Sequence, residues 1–67
     1  MRQLDARGLS CPEPLLMFRQ EVQKGGKFEL TVDTNVAKEN IERFCQSKRT
    51  AYNVREHSGL YTFVVGE

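Results

Sequence analysis

The sequence predicts an α/β two-layer sandwich of order βαβαββ, a four-stranded mixed sheet with two helices on one face. Three observations predict it: two stretches with apolar residues at helical spacing, an alternating stretch between them, and two alternating stretches around His57-Ser58-Gly59 at the end. Met1 to Ala6 places Leu4 and Ala6 two apart, as in a short strand, and Gly8 breaks it. Pro12 to Lys24 carries Leu15, Phe18 and Val22 on one helical stripe, with proline at the first helical position and Gly25-Gly26 as the stop. Phe28, Leu30 and Val32 alternate with Glu29 and Thr31, a strand with one apolar face. Asp33-Thr34-Asn35 offers N-caps for a helix from Val36 to about Lys48, with Ala37, Ile41, Phe44 and Cys45 on one side. Arg49 stands where a terminating glycine would help. Tyr52 and Val54, then Tyr61, Phe63 and Val65, form a hairpin that turns at His57-Ser58-Gly59. Right-handed crossovers bring both helices to one face and make the first three strands run one way and the fourth the other. The opposite sheet face stays open, with Leu60 and Val64 on it.

A chain of 67 residues forms one domain, 1–67, too small for a deep enclosed cavity, so its chemistry belongs on the surface. Ten Lys plus Arg against nine Asp plus Glu, formal charge +1, argue against an extended nucleic-acid footprint. The start of the chain has no apolar signal segment, and no run reaches transmembrane length. Two cysteines do not make the disulfide framework of small secreted domains, and both read as reduced thiols in the cytoplasm.

Cys11 carries the candidate chemistry. It directly precedes a helix, where unpaired amides and the positive end of the macrodipole favour a thiolate and can lower a cysteine pKa from about 8.5 to roughly 3.5–7.5. Pro12 and Pro14 remove amide donors that the first turn would leave unpaired, and Pro12 fixes φ near the helical value. Glu13 suits the helix start but repels a thiolate, so the activation is modest. Arg7 supplies compensating positive charge or meets an acidic partner. His57, the only histidine, sits in the turn away from Cys11, so no Cys-His nucleophile pair forms. A lone exposed thiol of this kind can take sulfur from another protein's persulfide and pass it on.

Leu4-Asp5-Ala6-Arg7-Gly8-Leu9-Ser10-Cys11-Pro12-Glu13-Pro14 resembles the signature of the TusA/SirA/YedF family, small sulfur carriers with a Cys-Pro-x-Pro motif. Asp33-Thr34-Asn35-Val36-Ala37-Lys38-Glu39-Asn40-Ile41 is similar to the second-helix region of the YedF-like branch. The resemblance implies a fold like the C-terminal domain of translation initiation factor three and the strand order 1-2-4-3, which periodicity alone does not give. It implies that Cys11 is the persulfide-carrying residue, with no cofactor beyond that transient group. It also implies a cysteine desulfurase or rhodanese-like donor and a downstream acceptor protein, serving tRNA thiolation or sulfur or selenium metabolism. YedF-like proteins usually continue into a second domain that this sequence does not include.

Each residue also has a plainer reading. Cys11 could be an inert cysteine before a helix, and Asp5 and Gly8 could simply build the strand-to-helix turn. Cys45 reads as a small core residue; a resolving role would need its Cα within about 7 Å of that of Cys11. Lys38, Arg43, Lys48 and Arg49 read as a solvated face, the alternative being contact with an acidic partner or RNA. No metal site is expected from Cys11, Cys45 and one histidine. The rival function is a protein- or RNA-binding regulatory module that uses the open sheet face and the basic second helix.

Overall fold

The computed structural model describes residues 2–9 and 13–66. The elements are β1 (Arg2–Asp5), α1 (Glu13–Lys24), β2 (Phe28–Val32), α2 (Asn35–Lys48), β3 (Tyr52–His57) and β4 (Leu60–Val65). They build a four-stranded sheet in the order β1-β2-β4-β3. β1 runs parallel to β2, and β4 lies antiparallel between β2 and β3, so the expected order and strand directions hold. The expectation that Pro12 opens α1 lies outside the described residues, as does everything expected of Cys11.

Register explains why one face is dry. Leu4 lies opposite Leu30, and Leu30 opposite Phe63, so the period of two puts Leu4, Phe28, Leu30, Val32, Phe63 and Val65 on one face. Phe18 of α1 and Ala37, Ile41 and Cys45 of α2 complete the same buried cluster, which places both helices over that face. Phe18 is the hub, meeting Phe28, Phe44 and Phe63 edge-on with ring centroids 5.4, 5.9 and 5.9 Å away. The other face carries Gln3, Asp5, Glu29, Thr31, Asn53, Arg55 and Thr62, with Leu60 and Val64 among them as expected. Thr31 and Thr62 share a hydroxyl hydrogen bond of 3.1 Å at its centre.

The helix ends show where residue type alone misled. α1 stops at Gly25, φ +80°, whose N–H donates to the carbonyls of Glu21 and Val22, as the glycine pair led us to expect. Its stripe also buries Glu21, which apolar spacing did not mark; Arg2 at 2.9 Å and Lys24 at 3.1 Å hold that carboxylate. Thr34 is the N-cap of α2, its Oγ1 accepting the Ala37 N–H at 3.1 Å. Arg49 itself takes the left-handed C-cap conformation, φ +54°, with Thr50 N–H donating to Cys45 O at 2.8 Å. Backbone hydrogen bonds thus close the helix without a glycine. The hairpin turn is Ser58-Gly59, both at positive φ; His57, expected in the turn, is instead the last residue of β3 and pairs with Leu60. A two-residue turn of this hand matches strand twist, which lets pairing continue through His57. Among the described residues, no helix is long and apolar enough to cross a membrane.

Candidate functional site

The link from β1 to α1 is organised by its own side chains. The Ala6 N–H donates to Thr31 O at 2.8 Å, extending the β1–β2 pairing one residue past β1 and burying Ala6. The Leu9 N–H then reaches Ala6 O at 3.4 Å, closing a four-residue turn with Gly8 third at φ +77°. Few residues other than glycine adopt that backbone without strain, and the space beside Gly8 is open, so backbone conformation alone asks for glycine there.

Asp5 locks the turn from the strand side. Its Oδ1 accepts the Arg7 backbone N–H at 3.0 Å and Arg7 Nε at 2.8 Å, while Oδ2 accepts the other arm of the guanidinium at 2.7 Å. The Arg7 side-chain hydrogen bonds, with help from its backbone amide, pull the Asp5 carboxyl down to about 2. Asp5 raises the Arg7 guanidinium in return. Arg7, expected to offer free positive charge, is therefore committed to a carboxylate. Gly8 is held from the other side, its N–H donating to Asp33 Oδ2 at 3.0 Å.

Asp33 is the residue that sequence reasoning missed here, having counted it only among possible caps of α2. Thr34 takes that role, and Asp33 instead bridges two connections, because parallel pairing of β1 with β2 brings the ends of both strands together. The signal was present only as topology: an acid directly after the strand that neighbours β1.

Glu13 opens the described part of α1 as an exposed acid in its first turn, and Pro14 is buried beside it. Along the chain, Cys11 stands two residues after Leu9 and two before Glu13, so both flanks of the motif are fixed by described structure. Both helices begin at the same end of the sheet, following the parallel strands β1 and β2. Charged groups at this end include the carboxylates of Asp5, Asp33 and Glu13 and the paired guanidinium of Arg7.

Cys45 and the basic stretch lie elsewhere, on and after α2, whereas His57 shares a concavity with Asp5 and Arg7. Cys45 is 1% exposed in the core, and burial, reinforced by Glu42, pushes its thiol up to about 11. That is the environment of an inert structural thiol. Lys38, part of the basic stretch, is drawn to Glu42 at 3.8 Å and over the Tyr61 ring at 5.4 Å. His57 lines a broad concavity of about 500 Å³ on the open sheet face, which also takes in Asp5, Arg7, Thr31, Arg55 and Thr62. Two ion pairs, Asp5–Arg7 and Glu29–Arg55, sit in that concavity and balance its charge. Among the described residues, no group of three or more His, Cys, Asp and Glu could hold a metal ion.

The model of the family described as "Sulfurtransferase TusA" matches residues 2–66. A sulfur carrier protein TusA of Pseudomonas putida is 38% identical over 45 residues, covering 63% of this chain and 56% of the relative's length. The match thus spans little more than half of that protein. A sulfur carrier protein TusA of Pseudomonas fluorescens is 30% identical over 64 residues, covering 90% of this chain and 77% of the relative. Among solved structures, the crystal structure of a SirA-like protein from Desulfitobacterium hafniense superposes with a TM-score of 0.83 over all of both chains at 23% identity, a likeness of fold.

Proposed function

Because this chain belongs to the TusA sulfurtransferase family, we propose that it is a sulfur carrier in which Cys11 cycles between thiol and persulfide. The observation that carries the reading is the motif Cys11-Pro12-Glu13-Pro14, whose last two residues open α1 and which follows in sequence a turn built by Asp5, Arg7 and Gly8. A helix start favours the thiolate form through its amides and dipole. Pro12 and Pro14 support that start by removing first-turn donors. The carboxylates of Glu13, Asp5 and Asp33 oppose ionisation, and Arg7 is already paired with Asp5, so the activation is modest. A modestly activated thiolate remains a good nucleophile when it leaves again easily, which suits a relay more than a one-way reaction.

The transfer conserves sulfur and electrons. The Cys11 thiolate attacks the terminal sulfur of a donor persulfide, a new S–S bond forms, the donor's S–S bond breaks, and the donor leaves as a thiolate that takes up the proton. The second transfer reverses the roles, with an acceptor nucleophile attacking the outer sulfur and Cys11 leaving as thiolate. Neither half needs a cofactor. The donor is a cysteine desulfurase or rhodanese-like protein, the acceptor a downstream sulfur-handling protein in the cytoplasm, and the route serves tRNA thiolation or sulfur or selenium metabolism.

Incubating the protein with a desulfurase and cysteine, followed by intact-mass spectrometry, tests the proposal. The wild type is expected to gain the mass of one sulfur atom and Cys11→Ala to gain none. A Cys11→Ala variant that still acquires the sulfur rules the assignment out. The rival reading, a binding module on the open face, draws on the broad concavity there; its balanced ion pairs favour a protein over RNA as the occupant.

A further inference from the structure

The two helices leave a groove between their C-terminal halves. Arg19, Val22 and Gln23 of α1 line one side and Phe44 and Lys48 of α2 the other, with Thr50 at the end, around a volume of about 290 Å³. The floor is apolar. Val22 and Phe44 are half-buried against the core, and Phe44 packs on Phe18 with ring centroids 5.9 Å apart. The walls offer donors: the Arg19 guanidinium, the Lys48 ammonium, the Gln23 amide and the Thr50 hydroxyl, with no carboxylate lining the groove.

The charge of these walls is uncompensated. Among the described residues, Arg2, Arg7, Lys24, Lys38 and Arg55 each hold a carboxylate, whereas Arg19 and Lys48 hold none. The acids nearest along each helix are engaged with other partners, Glu21 with Arg2 and Lys24, and Glu42 with Lys38. The helix macrodipole accounts for a cation such as Lys48 in a last turn, but Arg19 sits mid-helix, where that field has faded.

We infer that this groove docks an acidic segment of a partner protein, which seats an apolar side chain between Val22 and Phe44 and sets carboxylates beside it against Arg19 and Lys48. Its volume falls just below the ~300–1,000 Å³ of small-molecule sites, so it takes a side chain of an extended segment, and the contact is weak by itself. Cations on opposite walls select for acid on both sides of the anchor, while Gln23 and Thr50 can donate to the segment's backbone carbonyls. RNA would use the cations and leave the apolar floor idle, and a chain of formal charge +1 gathers little from counter-ion release. The groove lies at the opposite ends of both helices from the Cys-Pro-x-Pro motif, whose last two residues open α1, so a segment held there leaves the motif uncovered.

NMR titration of the isotope-labelled chain with a blocked hexapeptide, in which leucine and phenylalanine are flanked by two aspartates on each side, tests this. Amide shifts are expected at Val22, Gln23, Phe44 and Thr50. Arg19 and Lys48 are exposed, so Arg19→Glu and Lys48→Glu are each expected to weaken binding about three- to tenfold while core resonances stay in place. Exchanging the peptide's leucine and phenylalanine for serines is expected to weaken it by a similar factor, which separates an anchored segment from charge attraction alone. The absence of shifts up to millimolar peptide overturns the proposal, as does binding that ignores both charge reversals or the loss of the apolar anchor. A single-stranded RNA oligonucleotide that shifts the same amides at lower concentration than the peptide overturns it too, in favour of a nucleic-acid site.

Discussion

The Gly8 N–H donates to Asp33 Oδ2 at 3.0 Å, a hydrogen bond across 25 positions that fastens the turn before the Cys-Pro-x-Pro motif to the end of β2. Removing that acceptor is therefore expected to loosen the motif's support without disturbing the core. Asp33→Ala should lower stability by about 0.5–1.5 kcal/mol in urea titration, the range for one hydrogen bond to a side chain. It should also slow sulfur uptake by Cys11, read by mass spectrometry over time. Asp33→Asn retains an acceptor oxygen and should fall between the two.

Gly8 and Gly66 both have positive φ but for different reasons, and alanine separates them. At Gly8, φ +77°, an added methyl meets nothing, so Gly8→Ala should cost only the backbone term, about 1–2 kcal/mol. At Gly66 the methyl would run into the carbonyl of Gly26, and overpacking adds roughly 1–3 kcal/mol to the same backbone term. Equal losses in denaturant melts of the two variants would show that the Gly26 contact yields freely.

Asp5 predicts a pH dependence at the acid end. Its carboxyl is lowered from 3.8 to about 2, first by the Arg7 side-chain hydrogen bonds, so the folded form prefers the ionised group. The contribution is whole above about pH 4 and is lost as pH falls toward 2, because protonation then favours the unfolded chain. Carboxyl carbon shifts followed by NMR should place the Asp5 midpoint near 2, returning toward 3.8 in Arg7→Gln. A wild-type midpoint at 3.8 would mean that solvent dissolves the pair.

Cys45 predicts the opposite trend at the alkaline end. Burial raises its thiol from 9.0 to about 11, so between those values the unfolded chain ionises while the folded one does not, and stability declines as pH rises. In a Cys11→Ala background, where Cys45 is the remaining thiol, alkylation at pH 8 should be on the order of 100-fold slower in buffer than in urea. Rapid labelling of the folded protein would contradict its place in the core.

Much of this architecture was legible because burial imposes a period. Phe28, Leu30 and Val32 could face the helices only by alternating, and Phe18, Ile41 and Cys45 only by recurring at helical spacing. What stayed hidden was non-local or carried by the backbone. Strand order came from family resemblance, since alternation says which face a residue takes and not which strand lies beside it. Glu21 broke the apolar stripe of α1 because its partner Arg2 is 19 positions away and its burial depends on that meeting. Arg49 closes α2 through hydrogen bonds that no residue type announces. At the candidate site, the turn-building roles of Asp5 and Gly8 were readable from residue chemistry, whereas the pairing of Arg7 and the bridge from Asp33 needed the fold.

The edge-on meeting of Phe18 with three other rings has a spectroscopic corollary. Where one ring presents its edge to another, its protons lie in the shielding cone of the neighbour's ring current, so aromatic resonances of this cluster should stand upfield of their free positions. The chain contains no tryptophan to dominate its optical signals, which makes these shifted resonances a native reporter of helix-to-sheet docking. Their collapse on heating would mark the moment the two layers part.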